Sequence, residues 1–181
     1  MGSMNFLQKT LVNRFNPLRV PHQVLSLLKQ ANVEVQGAYL EIGAGLGYTA
    51  SEIFDRYHPS RVVVTDFDPA QVENARKRAE HHYGEVPPEF EFQREDVTQL
   101  SFDAATFAFV LATYVFQLVE NHWWQFARTP RAIEEIQRVL KPKGVFFFMG
   151  PFHKNHVQEL FLSTGFTALA STRRAGIYQR G

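Results

Sequence analysis

Apolar residues form two kinds of pattern along the chain, short continuous runs and helical repeats. A continuous apolar run that is bounded by polar or turn residues is typical of a strand buried on both faces. Such runs predict strands at Ala38–Ile42, Arg61–Thr65, Phe107–Leu111 and Val145–Met149. Phe90 and Phe92 alternate with charged residues, which predicts a strand with one buried face.

Between the runs, apolar residues recur at the spacing of amphipathic helices. Pro69 suits the first position of one of these helices, because proline has no backbone N–H to lose there. The segment Lys141–Gly144 is expected to end another helix and to lead into the strand at Val145. The predicted helices are Leu7–Leu18, Pro21–Ala31, Tyr48–Tyr57, the segment that begins at Pro69, Thr129–Leu140 and His156–Ser163.

The order of these elements predicts an α/β fold. Strands that alternate with helices pair in parallel through right-handed crossovers, so helices are expected on both faces of one sheet. The last two strands, Phe166–Ala170 and Ala175–Gln179, are separated only by Ser171–Arg174. That connection is too short for a parallel crossover, so the pair is predicted to be an antiparallel hairpin. Residues 4–37 would form an N-terminal helical arm and residues 38–181 the domain that follows it.

Composition narrows the class of protein. A chain of 181 residues with 45% hydrophobic and 20% charged residues has the size and balance of one globular domain. The formal net charge of +1 does not indicate nucleic acid or an anionic membrane as a partner. The absence of cysteine excludes disulfides, thiolate nucleophiles and cysteine-ligated metals. No apolar run reaches the roughly 18 residues of a membrane span and no signal peptide is visible, so a cytoplasmic location is expected.

The most informative segment is Tyr39–Ala50, which follows the first predicted strand and has three glycines at alternating positions. Glycines between a strand and a helix let a ligand approach the backbone. A dinucleotide-binding loop needs glycine at its sixth position, where this chain has Tyr48. The Gly-Lys-Ser/Thr ending of a phosphate-binding loop is also missing. Because Glu41 precedes the loop and would repel a phosphate, the segment favours a ligand with a positive end.

Acidic residues follow the second and third predicted strands. Asp66 lies nineteen residues beyond the last glycine of the loop and could accept both hydroxyls of a ribose, with a simple turn residue as the alternative. Asp68 is expected to cap the next helix. Asp96 could accept a hydrogen bond from an adenine amino group while the Val97 N–H donates to the ring. The alternative for Asp96 is an acid of a surface loop.

These segments resemble the motifs of class I S-adenosylmethionine-dependent methyltransferases, of the small-molecule type related to quinone-biosynthesis C-methyltransferases. The glycine segment resembles the family motif E/D-x-G-x-G-x-G, and Val62–Asp66 resembles its acidic second motif. Glu95–Val97 resembles the adenine-contacting segment, and Ile133–Gly144 the helix and turn before the fifth strand. The resemblance extends from about Ala38 to the C-terminus. It implies a Rossmann-like three-layer sandwich whose seven-stranded sheet has the order 3-2-1-4-5-7-6, with strand 7 antiparallel.

The resemblance implies S-adenosyl-L-methionine as the cofactor and S-adenosyl-L-homocysteine as its product. The backbone of residues 43–45 would approach the methionine end, with Glu41 near the ammonium group. Asp66 would hold the ribose, Phe67 would pack on the adenine, and Leu111 with Ala112 would flank the sulfonium. The expected cofactor-binding residues are Glu41, Gly43, Ala44, Gly45, Gly47, Asp66, Phe67, Asp96, Val97, Leu111 and Ala112.

Methyl transfer from a sulfonium is an in-line displacement, so the protein must chiefly align the reactants and exclude water. A general base is needed only when the acceptor carries a proton with a high pKa. Tyr114 and His122 are the candidate catalytic residues, because both follow the fourth strand. Two histidines without a third ligand do not indicate a metal, so none is expected. Further candidates for the acceptor pocket are Trp123, Trp124, His153 and His156, for which ordinary surface, capping or core roles are the alternatives.

The acceptor is expected to be a small organic molecule and the protein a monomer or a homodimer. Nucleic acid is not expected, since Leu111–Tyr114 does not have the Asn/Asp-Pro-Pro-Tyr/Phe motif of amino-methylating nucleic-acid enzymes. The amphipathic arm carries Arg14, Arg19 and His22. Such an arm would suit a membrane surface and a lipid or quinone-like acceptor, but a cap that packs on the sheet edge is the interpretation we favour.

Two other functions stay open at this level. A nicotinamide-dependent oxidoreductase would use a similar strand–loop–helix unit, although Tyr48 in the sixth position of the loop argues against it. A non-catalytic relative that binds the cofactor or a partner protein is the other alternative. It stays open because Ala108 and Gln117 depart from the residues that the methyltransferase family often has near its fourth strand.

Overall fold

A single twisted sheet organises the protein. The computed structural model describes residues 19–116, 128–150 and 158–181. In this part of the chain, the strands are β1 (Ala38–Ile42), β2 (Arg61–Asp66), β3 (Phe90–Arg94), β4 (Phe107–Thr113), β5 (Leu140–Met149), β6 (Phe166–Ser171) and β7 (Ala175–Arg180). They pair in the order β3-β2-β1-β4-β5-β7-β6. β7 runs antiparallel to both of its neighbours, and the other described pairs are parallel, which confirms both the predicted hairpin and the strand order.

Helices cover both faces of the sheet. The described helices are α1 (Arg19–Gln30), α2 (Tyr48–Tyr57), α3 (Pro69–Tyr83), α4 (Thr129–Val139) and α5 (Gln158–Ser163). Apolar residues of α1, α2 and α3 pack into the core on one face of the sheet. Apolar residues of α4 and α5 pack into the core on the other face. The three layers are those of the predicted sandwich.

The two cores are separated by the alternation of side chains along each strand. In β5, Phe146 and Phe148 point into the core below α4 and α5, whereas Phe147 and Met149 point into the other core. Successive side chains of a strand face opposite sides of the sheet, so a strand that is covered on both sides is apolar throughout. This is why β5 reads as a continuous apolar run rather than as an alternating one.

The start of β5 differs from the prediction. Leu140 was expected at the end of the helix and Lys141–Gly144 as its closing turn, but Leu140 is extended and pairs with Phe107 of β4. Pro142 provides the physical reason, because helices usually end at or before the residue that precedes a proline, which here is Lys141. The pairing is irregular between Phe107 and Phe109, and Lys143 has a positive φ of 60°.

Part of the predicted N-terminal arm is described, and it packs against the sheet. Val24, Leu27 and Leu28 of α1 are buried in the same core as residues of β1 and β4. The predicted helix at Leu7–Leu18 and the beginning of the one at His156 lie outside the described residues. Among the described residues, no helix is both long enough and apolar enough to cross a membrane.

Candidate cofactor site

The glycine loop joins the carboxyl end of β1 to the first turn of α2. Gly43, Gly45 and Gly47 all have positive φ angles, of 65°, 54° and 68°. The Ala44 N–H donates to the Thr65 carbonyl of β2 at 2.9 Å, and the Gly47 N–H donates to the Ala44 carbonyl at 2.9 Å. These bonds fold the loop against the end of β2. Left-handed backbone of this kind costs most residues about 1–2 kcal/mol, and glycine avoids that cost.

Two of these glycines have different surroundings. A Cβ atom at Gly43 would lie 2.6 Å from Cγ2 of Val115, so the loop there packs too closely for any side chain. A Cβ atom at Gly45 would have no heavy atom within 4 Å. The backbone at Gly45 therefore faces open space, which is the arrangement that direct contact between backbone and ligand requires.

Asp66, the last residue of β2, connects β2 to the glycine loop. Its Oδ2 accepts a hydrogen bond from the Gly45 N–H at 3.0 Å, and its Oδ1 accepts one from the Asp68 N–H at 3.0 Å. A carboxylate has about four lone-pair sites, so each oxygen can still accept from a ligand hydroxyl. Asp68 caps α3, as predicted, by accepting a hydrogen bond from the Ala70 N–H at 2.9 Å.

Phe67 follows Asp66 and presents its ring to solvent. The side chain is 60% exposed, which is unusual for a large apolar residue. The Arg94 guanidinium lies 4.9 Å from the ring centroid, and Arg94 Nε donates to the Phe67 carbonyl at 3.0 Å. The exposed ring beside the Asp66 carboxylate offers an aromatic surface to a planar base, which is the role that the family resemblance implies for Phe67.

The third acidic position forms a tight turn after β3. Asp96 Oδ1 accepts hydrogen bonds from the Thr98 N–H and hydroxyl, and Arg128 lies 3.1 Å from Oδ2. Partial burial raises the pKa of Asp96, but these hydrogen bonds and the charge of Arg128 outweigh it and lower the pKa below its ordinary value. The Val97 side chain is buried in the core below α4. Recognition of adenine by these two residues stays a prediction.

Glu41 is the penultimate residue of β1, just before the glycine loop, and only 1% of the residue is exposed. Burial raises the pKa of Glu41 from 4.5 to about 8, despite hydrogen bonds from Tyr39, Ala50 and Thr49 that lower it. No ion pair to Glu41 is found among the described residues. The charge of Arg78 also lowers the pKa slightly, and a cation beside the carboxyl group would stabilise its charged form further.

A small cavity of about 150 Å³ lies beside Glu41. Its walls come from α1, β1, β4 and the glycine loop, and they include Val20, Glu41, Ala44, Gly45, Leu46 and Thr113. The buried carboxyl group, the open backbone of Gly45 and this cavity together fit the ammonium-bearing end of S-adenosylmethionine. The fit depends on the predicted residues Glu41, Ala44 and Gly45, which the fold brings to one place.

Arg78 of α3 is a residue of the site that the sequence analysis missed. Its Nη1 donates to the Gly47 carbonyl at 3.3 Å and to the Ser51 hydroxyl at 2.9 Å, and its guanidinium lies 3.8 Å from the ring centroid of Tyr48. Arg78 thus joins α3 to the start of α2 behind the loop. The available signal was its position three residues after Ala75, on the inward face of α3.

The end of β4 lies next to the cavity beside Glu41. Leu111 and Ala112 are fully buried, and their side chains lie in opposite cores. Thr113, one residue further along, lines the cavity. A contact of the cofactor with Leu111 or Ala112 stays a prediction.

Tyr114, one of the two candidate catalytic residues, follows β4 directly. It has a positive φ of 58°, and its N–H donates to the Met149 carbonyl at 2.7 Å. Burial raises the pKa of the Tyr114 phenol, and the nearby positive charge of Arg174 partly opposes that rise. His122, the other candidate, and Trp123, Trp124, His153 and His156 lie outside the described residues. The described part of the chain holds no group of three or more potential metal ligands.

Residues 40–148 match the model of a family described as a methyltransferase domain. The chain belongs to this family. Together with the strand order and the single antiparallel strand, the match confirms the resemblance to class I S-adenosylmethionine-dependent methyltransferases. The matched range begins in β1, before the glycine loop, and ends in β5, so it includes the loop and both acidic positions after β2 and β3.

Known relatives share only part of their length with this chain. The uncharacterized methyltransferase YodH of Bacillus subtilis (strain 168) is 29% identical over 152 residues, which are 80% of this chain and 58% of YodH. The malonyl-[acyl-carrier protein] O-methyltransferase of Halorhodospira halophila (strain DSM 244 / SL1) is 28% identical over 142 residues, 76% of this chain and 38% of that protein. The chain thus spans about half the length of these relatives.

A solved structure shows the same fold. The crystal structure of a SAM-dependent methyltransferase from Aquifex aeolicus superposes with a TM-score of 0.69 at 15% identity. The alignment covers 91% of this chain and 98% of that one. At this identity the likeness concerns the fold alone.

Proposed function

We propose that the protein binds S-adenosylmethionine and transfers its methyl group to a small organic acceptor. The observation that carries the proposal is the arrangement around the glycine loop. The Asp66 carboxylate is bonded to the Gly45 N–H, and the buried Glu41 carboxyl group lies beside the cavity that Gly45 lines. Family membership supports the same reaction type.

The residues of the site divide between the two ends of the cofactor. Glu41 would pair with the ammonium group, and the backbone of residues 43–45 would contact the methionine carboxylate and chain. Asp66 would accept hydrogen bonds from the ribose hydroxyls, and the exposed ring of Phe67 would stack on the adenine. When bound, the cofactor supplies an electrophilic methyl group on a sulfonium. The remaining work of the protein is to orient the acceptor and to exclude water.

Tyr114 is suited to orienting an acceptor rather than to removing a proton from it. Because burial raises the pKa of its phenol above the ordinary value, Tyr114 keeps its proton at neutral pH. A protonated phenol donates a hydrogen bond and can hold an acceptor oxygen or nitrogen in line with the methyl group. His122 stays the candidate for a general base, should the acceptor need one.

Calorimetric titration with S-adenosylhomocysteine tests the proposal, with NADH titrated in parallel. We expect micromolar binding of S-adenosylhomocysteine and none of NADH. Asp66→Asn removes one acceptor oxygen and the charge, so we expect affinity to fall about tenfold or more. Asp68→Asn makes the same chemical change two residues away and keeps a good helix cap, so its affinity should stay within about twofold of wild type. A folded wild-type protein that does not bind S-adenosylhomocysteine would contradict the proposal.

A further inference from the structure

A second and larger cavity lies at the same edge of the sheet as the glycine loop. It has a volume of about 490 Å³, within the range of roughly 300–1,000 Å³ that is usual for small-molecule sites. It is a groove between α1 and the turn that joins β6 to β7. Residues that line it include His22, Gln23, Leu27, Met149, Arg173 and Arg174.

The groove and the Glu41 cavity are neighbours. Met149, at the end of β5, lines the groove, and it pairs directly with Thr113 of β4, which lines the Glu41 cavity. Paired strands are about 4.8 Å apart. Tyr114 lies at the junction, since its N–H donates to the Met149 carbonyl at 2.7 Å. A molecule in the groove therefore lies within reach of a ligand in the Glu41 cavity.

The groove is positively charged on the side of the β6–β7 turn. Arg173 and Arg174 are adjacent and exposed, and within the described ranges no carboxylate forms an ion pair with either of them. None of the described residues that line the groove is acidic. The turn itself is well ordered by hydrogen bonds, because the Thr172 N–H donates to the Ala175 carbonyl at 2.7 Å and the Gly150 N–H to the Arg174 carbonyl at 2.8 Å.

The opposite side and floor of the groove are less polar. Leu27 of α1, Met149 and Ala175 are buried apolar residues that line it, and Gln23, Ser26 and Gln30 of α1 add neutral hydrogen-bonding groups. An apolar floor beside two guanidinium groups suits a molecule with an apolar body and an anionic end. Guanidinium groups hold carboxylates and phosphates through paired, charge-assisted hydrogen bonds.

We infer that this groove is the acceptor site and that the acceptor carries a carboxylate or phosphate, which Arg173 and Arg174 hold. The inference rests on the proposed function, because it assigns the acceptor of the same methyl transfer. Anchoring the anionic end at the β6–β7 turn would place the rest of the molecule over Met149, next to Thr113 and Tyr114. Neutral analogues of the same shape would lack the contact that anchors them.

The three methionines of the chain make this testable by NMR. Protein labelled with ¹³C-methyl methionine and saturated with S-adenosylhomocysteine gives a Met149 methyl signal, which the Met149→Leu variant identifies. Phenylacetate and phenyl phosphate serve as anionic probes, and phenylacetamide is the neutral counterpart of phenylacetate. We expect both anions, or one of them, to shift the Met149 signal, and phenylacetamide to bind at least about tenfold more weakly. The anion that binds more tightly then indicates whether the anionic group of the acceptor is a carboxylate or a phosphate.

Variants of the β6–β7 turn test whether the two arginines hold the anion. The double variant with Arg173→Gln and Arg174→Gln should bind that anion about tenfold or more weakly than the wild type does. Lys77→Gln, which removes one positive charge from the exposed face of α3, should leave the affinity within about twofold. Binding of phenylacetamide as tight as that of the anions, no shift by either anion, or an unaffected double variant would overturn the inference.

The two proposals fail in distinguishable ways. S-adenosylhomocysteine binding is measured first, by calorimetry on the unlabelled wild-type protein. Loss of that binding contradicts the proposed function itself. Normal binding of S-adenosylhomocysteine with no anion-dependent shift of Met149 contradicts only the assignment of the acceptor site.

Discussion

The pKa of Glu41 shows how burial in the fold changes the chemistry of one residue. The carboxyl group is buried, and its pKa of about 8 means that it is largely protonated at neutral pH without a ligand. In the unfolded chain the same group titrates near 4.5. Between these two values the folded protein binds more protons than the unfolded chain, so the free energy of unfolding must fall as the pH rises.

The Glu41→Gln variant measures this effect, because glutamine has nearly the same shape as a protonated glutamate and does not titrate. We expect the free energy of unfolding of the wild type to fall relative to that of the variant from about pH 5 to about pH 8, by up to about 4 kcal/mol. Urea unfolding at several pH values checks this. Glu91→Gln is the control, since Glu91 is exposed and its partner Arg61 lowers its pKa. Parallel pH profiles for wild type and Glu41→Gln would contradict the prediction.

The glycine loop illustrates the next scale, that of the element. Its conformation requires a small residue at one position and a positive φ angle at another, and these two requirements apply to different glycines. Gly43 must be small because Val115 packs against it, whereas Gly45 faces open space and needs glycine only for its backbone angles. The spacing of the glycines is visible in the sequence, but the difference between them depends on Val115, a residue more than seventy positions away.

Alanine substitutions should distinguish the requirement for small size at Gly43 from the requirement for a positive φ angle at Gly45. Gly43→Ala adds a clash to the strain of a positive φ, so we expect it to lower the free energy of unfolding by about 2–4 kcal/mol. Gly45→Ala should cost only about 1–2 kcal/mol, yet it should weaken S-adenosylhomocysteine binding because its methyl group enters the open space. Chemical unfolding and calorimetry measure the two effects.

A double-mutant cycle provides the control for the loop. Val115→Ala should recover about 1 kcal/mol or more of the loss at Gly43, because it removes the methyl group that a new Cβ would meet. The same substitution should show no coupling with Gly45→Ala. Equal coupling at both positions would show that the contact between Val115 and the loop is not what restricts Gly43.

At the scale of the whole molecule, aromatic packing joins elements that are far apart in the sequence. Phe161 is the buried residue of the short helix α5. Its ring lies 5.2 Å from that of Phe146, 5.4 Å from that of Phe148 and 4.7 Å from that of Tyr178. The six described residues of α5 form too few internal hydrogen bonds to be stable alone. Its place in the fold therefore depends mainly on Phe161, with Leu160 packed against the same core.

Truncation of Phe161 should accordingly affect the entire domain. We expect Phe161→Ala to lower the free energy of unfolding by about 3–5 kcal/mol, since the cavity lies in the middle of an aromatic cluster. Leu162→Ala removes a side chain that is 46% exposed from the same helix and should cost less than about 1 kcal/mol. Chemical denaturation of both variants checks the difference. Similar losses would show that α5 contributes through its backbone position rather than through Phe161.

Local sequence patterns were enough to predict the order and type of most elements. The strands at Ala38–Ile42 and Arg61–Asp66 and the helix at Tyr48–Tyr57 lie where periodicity placed them, within a residue at each end. The hairpin of β6 and β7 followed from the shortness of its connection. The exception is the beginning of β5, where the pairing of Leu140 with Phe107 depends on a partner strand that periodicity does not reveal.

The spacing of glycines and acids along the chain was likewise enough to indicate a ligand site, because the ends of parallel strands and the loops after them meet at one edge of the sheet. The acidic Glu41 before the loop indicated that the ligand has a positive end. Side-chain contacts over long sequence distances established the rest. Arg78 supports the loop from α3, Thr113 lines the cavity beside Glu41, and Arg173 with Arg174 faces α1 across a groove. Periodicity determines which side of an element is buried, whereas the shape and charge of a site depend on which elements the folded chain places side by side.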